Sequence, residues 1–244
     1  MRKPGSRGPE TLRNLRSAAI ELLSERSYQG MNLRLLASKL RLQAASLYNY
    51  IDSKQQLLFW LMKDLNEKLL LGFDETVAGI QDPAEQMLTF VAYHLGYHIA
   101  NREEATVLST EMRSLTPQNY RAVRKLQRQY TDQVHQLIER GIEQGKFHAV
   151  DARIATFALL QMLTFAVRWY TPRGRLRENE LIGVYTDLVF AMLGARELRA
   201  SAGNSKERAH TSPNNVAKLV EPVAHSFDLG SHVVQVSIGL QPKS

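Results

Sequence analysis

The sequence predicts an all-α protein, with an N-terminal three-helix head and a larger C-terminal helical body. Three observations carry this expectation. Apolar residues recur at three- and four-residue spacing through most of residues 10–198. No convincing period-two run interrupts them before residue 199. The breaks between apolar stretches fall at Asn32, Ser53, Asp82-Pro83, Thr116-Pro117 and Asp151, residue types that cap or begin a helix.

Taken in order, residues 1–9 (MRKPGSRGP) hold Pro, Gly and three cations without an apolar face and read as a flexible basic arm. Glu10 to Arg26 reads as a helix with Leu12, Leu15, Ala19, Leu22 and Leu23 on one stripe, and Gly30 suits the turn that follows. Asn32 is placed to cap a short helix whose apolar face is Leu33, Leu36, Ala37 and Leu40. A break is expected near Arg41–Gln43, then a second short helix from Ala44 to Tyr50 with Leu47 and Ile51 inward. Ser46, Tyr48, Asn49 and Tyr50 are left for its outer face and rim. This is the helix-turn-helix plan, in which the second helix enters the DNA major groove.

Charge placement agrees. Residues 1–54 hold ten Lys and Arg against four acids, an excess of six in a chain whose net charge is +7. A cationic excess confined to one module is the footprint of a polyanion-binding surface.

The stretch LASKLRLQAASLYNYIDSKQQLL resembles the DNA-binding signature of the TetR (tetracycline repressor) family. The matching residues are Leu36-Ala37, Leu40, Ser46-Leu47-Tyr48, the aromatic Tyr50, and Ser53-Lys54 followed by Leu57-Leu58. Two positions depart from the family pattern: Arg41 stands where Gly is usual in the turn, and Tyr50-Ile51 where His-Phe is common. An Arg41 forced into the left-handed region would cost roughly 1 kcal/mol. The resemblance implies that Arg34, Gln43, Ala44, Ser46, Asn49 and Tyr50 fall where family members touch bases or nearby phosphates, and that Tyr48 and Lys54 touch the backbone. The chemistry fits. Arg forks to guanine, Gln and Asn to adenine, while Tyr and Lys hold phosphate without regard to sequence. Tyr48 and Tyr50 have the alternative of packing the head.

The body is expected over residues 55–198, after a DNA-binding head at 10–54. Ser53 caps a long apolar helix to about Ala78, and Asp82-Pro83 starts another to about Asn101. A shorter helix, Glu103 to Leu115, stops at Thr116-Pro117. Pro117 to Glu143 ends at Gly145, Asp151 caps an apolar helix to Tyr170, and Glu178 to Leu198 is the last. Residues 199–244 turn polar and are expected to be disordered, with His232 to Leu240 alternating like a short strand.

Phe90, Tyr93 and Tyr97 decorate one body helix and serve either as core aromatics or as lining of a ligand pocket. The segment FAVRWYTPRGRL sets Arg168 and Trp169 side by side. Residues 139–195 resemble the acyl-CoA-responsive branch of the TetR family, which implies an apolar tunnel for the acyl part and cations near the CoA phosphates. The alternative is that Arg168 and Trp169 only stabilise a helix end. The last two body helices carry apolar residues on more than one side, which predicts a homodimer joined through a four-helix interface and bound to a palindrome.

Enzymatic constellations are missing from the sequence: there is no Gly-rich phosphate loop, no G-x-S-x-G and no cysteine at all. No cofactor and no metal are expected. The competing reading is a helical-bundle metalloenzyme built on His94 and His98, four residues apart, though the H-E-x-x-H that would support it is missing. A third is an architectural DNA-binding protein without a ligand. No run reaches the roughly 18 apolar residues of a membrane span. The basic N-terminus lacks the apolar core of a signal peptide, so a cytoplasmic site is expected. The expected partners are double-stranded DNA, a small-molecule effector such as an acyl-CoA, and a second copy of the chain.

Overall fold

The computed structural model describes residues 8–149 and 151–195, with residues 227–228 and 233–234. The described residues are helical apart from their turns and one two-residue antiparallel ladder. That ladder pairs β1 (Phe227–Asp228) with β2 (Val233–Val234), Phe227 opposite Val234. The alternating run at 232–240 thus has a local partner at residues 233–234. The remaining expectations for the 199–244 tail, and those for residues 1–7 of the basic arm, lie outside the described residues. Residues 8 and 9 already belong to the first helix.

The chain forms two compact units. Among described residues the first takes in 8–65, 103–123, 227–228 and 233–234, and the second 66–102, 124–149 and 151–195.

In the first unit, α1 (Gly8–Gly30) packs on α2 (Leu33–Lys39), and α2 on α3 (Ala44–Leu47). Leu15, Ala19, Leu36, Leu47, Ile51 and Leu57 are buried together with the remaining apolar stripe of α1. Asn32 caps α2 as its side chain predicts, accepting the Leu35 N–H at 2.9 Å. Ser53 does the same for α4 (Lys54–Val77), accepting from the Gln56 N–H at 3.1 Å.

Two features differ from the periodicity. First, α1 continues past Arg26 to Gly30 across a kink at Ser27, whose φ of 56° and ψ of 176° lie in a region otherwise kept by glycine. The kink releases the Tyr28 N–H from the helical ladder, and the Glu111 carboxylate on α6 (Arg102–Glu111) accepts it at 2.9 Å. Second, α3 stops at Leu47 rather than Tyr50. The N–H groups of Asn49 and Tyr50 bond three residues back, to Ser46 and Leu47, so the chain tightens into turns there.

Arg41 sits in the left-handed region, with φ of 53°. It closes α2 in a Schellman motif: its own N–H reaches the Ser38 carbonyl at 3.0 Å, and the Leu42 N–H reaches Ala37 at 2.9 Å. The same pattern ends α7 (Pro117–Glu143) and α9 (Glu178–Met192), where glycines fill the position: Gly145 and Gly194, both with φ of 69°. Arg41 is exposed, so its side chain gains no burial in return for the strain. Arg41→Gly is therefore expected to stabilise the protein by about 0.5–1 kcal/mol, net of the added freedom of the unfolded chain. A urea titration checks it. An unchanged or lower midpoint would mean the arginine is held by contacts that offset its strain.

In the second unit, α5 (Pro83–Ala100) packs against both α8 (Ala152–Trp169) and α9. Asp82 caps α5 by accepting the Ala84 N–H at 2.8 Å, and its carboxylate also takes the Lys146 ammonium at 2.8 Å. Asp151 caps α8, accepting from Arg153 and Ile154. The Glu180 carboxylate reaches back to the Arg177 N–H at 2.7 Å to open α9. Phe90, Val91 and Leu95 of α5, Leu159 and Leu163 of α8 and Val189 of α9 are fully buried, as is Val134 of α7. Past the end of α7, Phe147 folds its ring over Gly141, where a β-carbon would lie 2.0 Å from that ring. No described helix is long and apolar enough to cross a membrane.

Candidate nucleic-acid interface and effector interior

In the first unit, burial divides the residues around α3 cleanly. Leu47 and Ile51 are inside, at 0% and 1% exposure, while Gln43, Ala44, Tyr48 and Asn49 are exposed. Ser46 and Tyr50 are intermediate. Tyr48 keeps 55% of its surface in solvent, more than a packing role requires. Arg34 stands exposed on the first turn of α2. Apart from the Ala44 methyl these are donors and acceptors suited to base edges and phosphates, exposed at α3 and its ends and on the first turn of α2.

Lys54 is placed differently. Its ammonium donates to the carbonyls of Tyr28 (2.9 Å) and Met31 (3.0 Å) and lies 4.1 Å from the centre of the Tyr28 ring. It therefore ties the start of α4 to the end of α1, where a cation also complements the helix dipole. Gln55 adds a second tie, donating to the Tyr28 hydroxyl at 2.8 Å and accepting the Thr116 N–H at 3.1 Å.

The least expected feature of this unit is ionic. The Arg16 guanidinium on α1 pairs with Asp64 on α4 and with Glu104 on α6, and its Nε donates to Glu104 at 3.1 Å. All three side chains are largely buried. Burial works against the Arg16 charge, but Glu104 and Asp64 outweigh it and raise its pKa above the ordinary value. The sequence carries a signal for this: residues 12, 16, 19 and 23 share one helical stripe, so Arg16 sits in an apolar row.

In the second unit, Phe90, Tyr93 and Tyr97 are all buried. Phe90 meets the rings of Phe73 at 5.5 Å and His94 at 5.5 Å. The Tyr93 hydroxyl faces the carbonyls of Lys68 and Leu69, each at 3.1 Å, and burial raises its pKa. Arg168 and Trp169 do not join this interior. Both are exposed, Arg168 lying over the Phe165 ring at 4.7 Å and Trp169 stacked on Tyr185 at 6.4 Å.

The histidine pair does not have the chemistry of a metal site. Both nitrogens of His94 are engaged, Nδ1 with the Tyr130 hydroxyl at 2.8 Å and Nε2 with Thr164 Oγ1 at 3.0 Å. His98 lies 4.5 Å away, ring to ring. Burial, and to a lesser degree His98, hold the His94 imidazole neutral by lowering its pKa well below the usual value. Among the described residues no group of three or more His, Cys, Asp or Glu is arranged to hold a metal ion.

Outside the interior, α8 carries an exposed apolar line of Ile154, Phe157, Phe165 and Trp169, and α9 a matching one of Val184 and Leu188. Sequence periodicity marks both helices as apolar on more than one side; burial separates the covered face (Ala155, Leu159, Leu181, Tyr185) from the open one.

Comparison with known proteins matches this geometry. Residues 15–60 match the family "Bacterial regulatory proteins, tetR family", and residues 81–193 match "Tetracyclin repressor-like, C-terminal domain". The HTH-type transcriptional repressor KstR2 of Rhodococcus jostii (strain RHA1) is 22% identical over 173 residues, which span 70% of this chain and 85% of that protein. The TetR family transcriptional regulator PfmR of Thermus thermophilus superposes with a TM-score of 0.67 at 29% identity, covering 76% of this chain and 99% of PfmR. AibR, solved in complex with isovaleryl coenzyme A and operator DNA, superposes with a TM-score of 0.62 at 24% identity, covering 76% and 99%. The helix-turn-helix at the N-terminus and the helical body behind it are those of a regulator rather than an enzyme, and the chain belongs to the TetR family of bacterial regulatory proteins.

Proposed function

We propose that this regulator is a homodimeric, cytoplasmic repressor that holds a palindromic operator with two copies of α3 and leaves it when a small apolar effector enters the body. The observation that carries the reading is the division of α3: Leu47 and Ile51 anchor it while Gln43, Ala44, Tyr48 and Asn49 face solvent. One such surface reaches few bases, so two are needed, and the open apolar lines of α8 and α9 supply a self-complementary face. The effector class we favour is an acyl-CoA. Support comes from the resemblance of residues 139–195 to acyl-CoA-responsive regulators and from the isovaleryl coenzyme A bound by AibR. In this reading Phe90, Tyr93 and Tyr97 take the apolar part, and Arg168 and Trp169 meet the polar part nearer the surface.

Effector and DNA are coupled only through differential affinity: the ligand must prefer a body shape that misplaces the two heads. Calorimetry with acyl-CoAs of several chain lengths, in parallel with operator retention, tests the effector class. Heat together with operator release supports it, and neither with any chain length removes it.

Roles within the head are separable by mutation. Arg34→Ala is expected to relax specificity at one base position by about tenfold, the worth of one good base contact. Lys54→Ala is expected to weaken binding to all DNA alike, because it loosens the α1–α4 seam and removes a cation. Competition binding with operator and scrambled duplexes reads both. A uniform loss in each variant would show that the roles are not divided this way.

A further inference from the structure

Among the polar side chains placed so far in the body, one stands apart. His98, in the last turn of α5, is 7% exposed, and no described protein group hydrogen-bonds either of its ring nitrogens. Its neighbour His94 is fully engaged with Tyr130 and Thr164, so it has nothing left to offer. The other ring against His98 is Tyr97, edge-on at 5.9 Å. An imidazole shut away from water without a partner is costly, and such a group persists in a native protein when something else satisfies it.

We propose that His98 is the polar anchor of the effector site, taking a hydrogen bond from or to a neutral oxygen, a carbonyl or hydroxyl, on an otherwise apolar molecule. This rests on the reading of the body as an effector-binding domain. The neutral class follows from the surroundings. The rings against it are the Tyr97 phenol and the His94 imidazole, and both are neutral. Burial alone holds His98 neutral, with its pKa pushed down to about 4, and neither a carboxylate nor a cation contributes. A neutral imidazole has one N–H to give and one lone pair to receive, which matches a ketone, ester, thioester or alcohol. A ligand carboxylate would instead have to enter a site that has no cation to meet it.

The test uses four cyclohexyl probes with the full-length protein: methylcyclohexane, cyclohexanone, cyclohexanol and cyclohexanecarboxylate. Binding is read by calorimetry, and the His98 ring by its nitrogen-15 shifts. Wild type should bind the ketone and the alcohol about fivefold tighter than the hydrocarbon, the net worth of one hydrogen bond, with shifts at the His98 nitrogens. His98→Phe should bind the hydrocarbon as before and lose that preference. His98→Leu, which avoids overfilling the site, should do the same. The proposal is overturned if wild type shows no preference, if both variants keep it, if the carboxylate binds best with His98 protonated, or if no probe binds. Operator retention is measured alongside. Probes that engage His98 without releasing DNA would leave this inference standing and remove the effector-release reading instead.

Discussion

Replacing Arg16 with Met is expected to destabilise the first unit by about 3–5 kcal/mol, the usual loss when one partner of a buried ion pair is removed. Arg16 on α1 holds Asp64 on α4 and Glu104 on α6 at once, and the three side chains keep only 18%, 9% and 11% of their surface in solvent. In the native protein their desolvation is offset by the two pairings. Without the guanidinium, two carboxylates share a poorly hydrated site and repel each other. A neutral set should recover much of the loss, because buried ion pairs are often no better than uncharged groups of the same shape. Arg16→Met combined with Asp64→Asn and Glu104→Gln is therefore expected to be more stable than Arg16→Met alone. Urea titrations of the three proteins decide it. If Arg16→Met falls within about 1 kcal/mol of wild type, the triad is no more than a surface pair, for which losses of that size are typical. The consequence reaches function, because this triad, with Glu111 on the Tyr28 N–H and Gln55 on Thr116, fastens α6 and the turn after it to α1 and α4, the helices on either side of α2 and α3 in the chain.

Phe157→Asp with Leu188→Asp is expected to leave each subunit folded, to abolish the dimer, and to lower operator affinity by about 100-fold or more. Both side chains are half exposed, at 50% and 48%, so a carboxylate at either meets water in the isolated subunit. At a self-paired face the same carboxylates would be buried without partners and opposite their own copies. The large loss of affinity comes from linkage: when the second head binds as part of the same molecule, its effective concentration multiplies the first, commonly by about 100-fold to 10,000-fold. Sedimentation and operator titration together check the result. A double variant that remains dimeric would place the interface elsewhere, and a monomer that keeps full affinity would remove the two-headed account.

How far the sequence could be read depended on the range of the interaction concerned. Local rules placed Asn32, Ser53, Asp82 and Asp151 at helix starts, and each accepts a backbone N–H there. Periodicity placed the break after α2 but not its conformation; the left-handed Arg41 was legible only because the resembling family usually has Gly at that position. The kink at Ser27 was not, because the carboxylate that stabilises it, Glu111, is 83 residues away. The partnerships of Arg16 and His94 were likewise hidden: their partners lie on other helices, and only the appearance of Arg16 in an apolar row hinted at burial. Among the ligand-pocket candidates, Phe90, Tyr93 and Tyr97 share a helix and went inside together. Arg168 and Trp169 lie on a different helix, and helical spacing carries no information about which side of the bundle they face.

If α3 reads double-stranded DNA in pairs, binding-site selection on genomic DNA with the purified protein should recover an inverted repeat. Its half-sites should lie about 34–36 Å apart, or a multiple of that, along the helix axis, with affinity falling steeply as salt rises. Tyr48→Ala and Asn49→Ala should reduce that recovery without unfolding the head. Failure to enrich any duplex in dilute salt, or full recovery with both substitutions in place, would contradict it.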